Sequence, residues 1–177
     1  MALFRSYNLK GDTLLEVIMA LAVAVVILTS VTIVTINSLR NSRQAASQSS
    51  ATAYAKDGLE IIRGMHNNDY TSFKTLVDQT YCLADTCTSL SAAVGACGKK
   101  LGESCEKNVN EMYVREIDIS MDNASCKPGN PIAGAAYTKV ISSVAYGDNQ
   151  CADPDNPYCH KTALSSCLVS NTDRLSP

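Results

Sequence analysis

Eight cysteines hold the densest chemistry in the chain. All fall between Cys82 and Cys167, at Cys82, Cys87, Cys97, Cys105, Cys126, Cys151, Cys159 and Cys167, and the first 81 residues have none. Thiols can ligate zinc or oxidise to disulfides, and spacing separates the two. No CxxC knuckle occurs and only two histidines, His66 and His160, are available as co-ligands. Structural zinc sites draw on closely spaced cysteine and histidine pairs, so the pattern reads as an oxidised framework without metal. The connectivity stays open. The shortest-range scheme joins Cys82 to Cys87, Cys97 to Cys105 and Cys151 to Cys159, leaving Cys126 for Cys167.

Other reactive side chains are sparse. Lys99, Lys100 and Lys107 cluster by the first four cysteines and form a candidate patch for DNA or another anionic surface, set against the simpler reading of a solvated disulfide loop. The net charge of −2 argues against bulk attraction to nucleic acid. His66 and His160 stand alone in polar contexts and read as exposed. Asn123-Ala124-Ser125 has the form of a glycosylation acceptor, a common triplet of little weight by itself. No nucleophile elbow, phosphate loop, zincin helix or dinucleotide fingerprint is present. No enzyme activity and no cofactor are expected.

The elements that position these residues begin with a run of twenty, Val17 to Ile36, that has no charge, proline or glycine. About 20 helical residues cross a hydrocarbon core of roughly 30 Å, so a single membrane span is expected. Arg5 and Lys10 precede it and Arg40 and Arg43 follow it, which orients it only weakly. The cysteines orient it better, placing the C-terminal part outside the cytoplasm. Residues 37–65 continue the helix without proline. Leu39, Ala46 and Ala53 recur at sevens, and Ala55, Leu59, Ile62 and Met65 extend an apolar stripe. Gly64 and Asn67-Asn68-Asp69 are expected to end it. Residues 66–110 read as short helices or loops. Met112–Ser120, Ala136–Tyr146 and His160–Ser170 read as three strands of an antiparallel meander, with Tyr113, Arg115, Ile117 and Ile119 on one face. The expected class is α+β, a long helix packed on a small disulfide-linked sheet. The expected divisions are 1–11 as leader, 12–36 as span, 37–65 as amphipathic continuation and 66–177 as head.

One acid interrupts the apolar start of this helix. In Lys10-Gly11-Asp12-Thr13-Leu14-Leu15-Glu16-Val17-Ile18-Met19-Ala20, a small residue separates a short basic leader from the apolar segment. A secretory signal has the reverse order, with the cleavage site after its apolar core. Thr13 and Glu16 also have the spacing of a capping box, with Thr13 as helix cap. A buried carboxylate inside a span costs about 2.5–3.5 kcal/mol on insertion scales and needs a partner.

This stretch resembles the processing and assembly signal of type IV pilins and type II secretion pseudopilins. The resemblance is specific over about residues 5–36 and architectural beyond. It implies cleavage between Gly11 and Asp12 by a prepilin peptidase, with methylation of the new amine, and retention of the apolar helix in the mature chain. Glu16 then stands at the fifth mature position, where it would meet the α-ammonium of Asp12 on a neighbouring subunit. The family usually has Phe, or another apolar residue, where this chain has Asp12. The implied partners are other pilin subunits, the peptidase, the inner-membrane assembly machinery and membrane lipid. The implied function is a structural subunit of a type IV pilus or related filament, with a secretion or competence pseudopilin, or a minor tip pilin binding DNA, a surface or a secreted substrate, as the alternative. The implied location is the inner membrane, then a surface filament.

Overall fold

The computed structural model describes residues 12–171 except 77, 94, 101–104, 122, 133, 149–150 and 154–155. Residues 1–11, the expected leader with Gly11 at its end, lie outside the described residues.

Helix α1 runs Asp12–Asn68, 57 residues without a break. Nothing in that stretch forces a stop: it has no proline, and isolated glycines cost a helix only about 1 kcal/mol each. Gly64, expected to help end the helix, lies inside it. The stop comes at Asp69, whose carboxylate accepts a hydrogen bond from the Ser72 amide and so caps the next helix, α2, Tyr70–Lys74.

The chain divides into two compact units, with the boundary between Ala46 and Ser47. In the first unit the large apolar side chains of α1 from Leu14 to Leu39 are exposed. In the second, the C-terminal part of α1 packs on a four-stranded antiparallel sheet. The strands are β1 Gln79–Cys82, β2 Tyr113–Ser120, β3 Ala135–Tyr146 and β4 His160–Asn171, in the order β1-β2-β3-β4. The expected meander is therefore present, with β1 added at its edge. β1 has four residues, one of them Cys82, and lies in a stretch without periodicity, so alternation did not mark it. Its outer side is closed by chain from the same loop: the Cys82 amide donates to Gly98 O at 2.8 Å and the Lys100 amide to Thr80 O at 3.1 Å.

The expected stripe Ala55, Leu59, Ile62 and Met65 is buried, joined by Ala51 and Gly58. The earlier heptad Leu39, Ala46 and Ala53 is exposed instead. Alanine adds little to an apolar stripe and sits equally well in either environment, whereas Ala51 is fully buried and Ser47 and Ser50 are half-buried. Gly58 marks the closest approach: a β-carbon there would lie 2.6 Å from Ser142 Oγ on β3. Ile117 and Ile119 meet the stripe from β2, and Val140 and Leu168 close the main core from β3 and β4. Tyr54 of α1 stacks at a tilt on Tyr113, which meets Tyr146 of β3 in a second cluster.

Candidate functional site

The apolar part of α1 is the first candidate. It is long and apolar enough to cross a membrane, and none of its most apolar window is buried within the molecule. Its hydroxyls are satisfied from within the helix. Thr29 donates to Val25 O at 3.0 Å, Ser30 to Val26 O at 2.7 Å, and Thr32 and Thr35 to Leu28 O and Val31 O at 2.8 Å each. In lipid every polar group must find its partner inside the protein, and these four residues meet that demand. Glu16 is the one ionisable side chain between Thr13 and Leu39, and it is exposed with Thr13, Leu14 and Leu15 around it. Asp12 and Thr13 both lie within the helix, which is described from Asp12 onward.

The cysteines form four disulfides: Cys82–Cys105, Cys87–Cys97, Cys126–Cys167 and Cys151–Cys159. The last two match the shortest-range scheme, and the first two correct it. The reason is the fold of the loop after β1. The Ala84 amide donates to Ala96 O at 3.1 Å and the Ser91 amide to Cys97 O at 2.7 Å, so the chain doubles back on itself. Doubling back sets Cys87 against Cys97 and leaves Cys82 for the next cysteine along, a nested pairing where a sequential one was expected.

The lysine patch is partly consumed by structure. Lys100 Nζ lies 2.8 Å from Glu116 Oε1, and both side chains are largely buried. Tyr158 donates its hydroxyl to the same oxygen at 2.7 Å while accepting from the Cys105 amide at 3.1 Å. Burial works to raise the Glu116 carboxyl. The hydrogen bonds from Lys100 and Tyr158 and the charges of Lys100 and Lys161 outweigh it and hold the group below the usual carboxylate range. Lys107 is exposed and Lys99 half-buried. The three lysines thus do not act as one free cationic surface.

The histidines are not the solitary exposed groups expected. His66 packs edge-on against Tyr70 and Phe73, with ring centroids 5.4 and 5.0 Å away. His160 Nε2 lies 3.2 Å from Asp148 Oδ1 and stacks at a tilt on Tyr146. Asp148, Cys151, Cys159 and His160 bring their ligand atoms within 4.8 Å of one another, the outline of a metal site. The Cys151–Cys159 bond withdraws both sulfurs from that set, leaving two donors where zinc takes four, so the oxidised cluster does not fit a zinc ion. Sequence reasoning missed this grouping because Asp148 and His160 meet only through the pairing of β3 and β4.

Sequence reasoning placed Arg115 on one face of its strand with Tyr113, Ile117 and Ile119 but did not find its role. It is buried at the centre of the head, with Nη1 2.7 Å from Asp57 Oδ2 on α1. Its Nε donates to Leu83 O at 2.9 Å and Nη2 to Ala84 O at 3.0 Å. One guanidinium thereby joins helix, sheet and disulfide loop.

These features define a class: an α+β chain with one span-length apolar helix and a disulfide-linked antiparallel sheet. No family model matches the chain, and no curated protein or solved structure matches it.

Proposed function

We propose that this chain is a subunit of a type IV pilus or a related filament, held in the inner membrane by α1 and assembled through the apolar part of that helix. The observation that carries the reading is a single acid, Glu16, at the start of an exposed apolar helix whose hydroxyls are all satisfied internally. Lipid suits every other side chain from Leu14 to Ile36. Glu16 alone gains by finding a cation, and the Gly11-Asp12 junction would supply one on cleavage. The α-ammonium of Asp12 on one subunit then meets Glu16 on the next, neutralising a charge that is costly in hydrocarbon and fixing the axial step between helices. The disulfide-linked head would form the outer surface. A DNA-binding role has less support, since Lys100 is committed to Glu116.

Two variants test the two steps separately. Gly11→Leu should leave an uncleaved precursor in the membrane, seen as a larger intact mass. Glu16→Leu should be cleaved and inserted normally yet yield no filaments by electron microscopy of sheared cells. Normal shortening of the first variant, or abundant filaments from the second, would overturn the reading.

A further inference from the structure

Asn123 sits on an exposed stretch between β2 and β3, where it precedes a single helical turn, Ala124–Cys126. Its Oδ1 accepts from the Ser125 amide at 2.9 Å and from the Ser125 hydroxyl at 2.6 Å. The first bond is ordinary capping, which Asp or Ser would provide equally well. The second is additional, and it involves the hydroxyl two residues on that defines the Asn-x-Ser acceptor. Both bonds use the carbonyl side of the carboxamide, and Nδ2 makes none among the described residues. The backbone around it is fixed: the Asn123 amide donates to Tyr137 O at 2.8 Å, and Cys126 is bonded to Cys167 of β4. Ala124 and Ser125 are exposed, as is the run from Lys127 to Ile132. Asn123 itself is half-buried at the edge of β3, and the residues that follow it are open to solvent, in the half of the chain whose four disulfides belong to an oxidising compartment.

We propose that Asn123 is an N-glycan acceptor. The donor class is a lipid-linked oligosaccharide pyrophosphate. Nδ2 forms a bond to the anomeric carbon as the bond from that carbon to the pyrophosphate oxygen breaks. The amide gives up one proton, which the departing lipid pyrophosphate takes up together with the electron pair of the broken bond, and no oxidant or reductant is needed. The inference does not depend on filament assembly. It needs only that the head lie outside the cytosol.

The test is intact mass and peptide mapping of the full chain purified from the cells that make it. Wild type should exceed its oxidised polypeptide mass by a glycan that maps to Asn123. Asn123→Gln and Ser125→Ala should lose it, and Ser125→Thr should keep it. Ala124→Pro is the sharper control, because it retains both reactive side chains while removing acceptor competence. Its fold should survive: Asn123 has φ −74° and ψ 119°, the extended conformation favoured before proline, and residue 124 opens the helical turn, where proline is tolerated. A wild-type mass equal to that of the bare oxidised chain, or a glycan that persists in Asn123→Gln or Ala124→Pro, would overturn the assignment.

Discussion

Glu116 and Arg115 are neighbours on one strand that face opposite sides of the sheet, and each carries a charge out of water. Such charges are tolerated only when paired and hydrogen-bonded. Arg115 meets that condition with Asp57 and the carbonyls of Leu83 and Ala84. Glu116 meets it with Lys100 and Tyr158. Because the folded carboxyl lies below its ordinary value, its stabilising contribution is complete above the unfolded pKa, about 4.3. The contribution fades as pH falls through the folded value. Glu116→Gln should cost about 1.5–3 kcal/mol at neutral pH, the range for a hydrogen bond to a charged group. Urea unfolding of both proteins should show that difference shrinking as the pH drops below about 4. A gap that stays constant down to strong acid would place the contribution in packing.

At the scale of elements, the contact between α1 and the sheet is governed by what is missing at Gly58. Alanine is the better helix former by about 1 kcal/mol, so on propensity alone Gly58→Ala should stabilise. Its β-carbon would instead fall 2.6 Å from Ser142 Oγ, 3.1 Å from Arg115 Cδ and 3.2 Å from Ile117 Cδ1. Overpacking of this kind costs about 1–3 kcal/mol, and net destabilisation is expected. Ser142 Oγ is buried and has no hydrogen-bond partner among the described residues, so Ser142→Ala should be nearly neutral alone and should recover part of the loss in the double variant. Thermal melts of the four proteins form the cycle, and a Gly58→Ala protein more stable than wild type would refute the close approach.

The same contact shows what periodicity can and cannot reveal. Ala55, Leu59, Ile62 and Met65 were legible as a buried stripe because large apolar side chains repeat at helical spacing. Ala46 and Ala53 misled because alanine is compatible with either environment. The strands β2, β3 and β4 were legible from alternation and turn residues, whereas β1 was too short to alternate. Disulfide partners depend on where a loop doubles back, which is set by backbone bonds such as Ala84 to Ala96 that leave no mark in residue type. Arg115 could be assigned a face, but its partners come from Asp57 and Leu83, far away in sequence. Glu16 stands out in the sequence because an acid beside a long apolar run is a conflict visible without a fold.

At the scale of the whole molecule, the two compact units divide at Ser47, and every core cluster lies within the second. So do all four disulfides. Closing the Cys126–Cys167 loop alone restricts the unfolded chain enough to contribute about 3–4 kcal/mol, and this restriction does not require the apolar helix. A fragment beginning at Ser47 should therefore be soluble, contain no titratable thiol and unfold cooperatively. Its midpoint should fall by many degrees in a strong dithiol reductant, because a loss of about 1 kcal/mol already shifts a domain of this size by several degrees. The full-length chain should remain with membranes through a high-salt wash, since burial of its exposed apolar residues from Leu14 to Leu39 is not an electrostatic attachment. Aggregation of the fragment under oxidising conditions, or release of the full chain by salt, would mean that the apolar half of α1 is needed to complete the head rather than to anchor it.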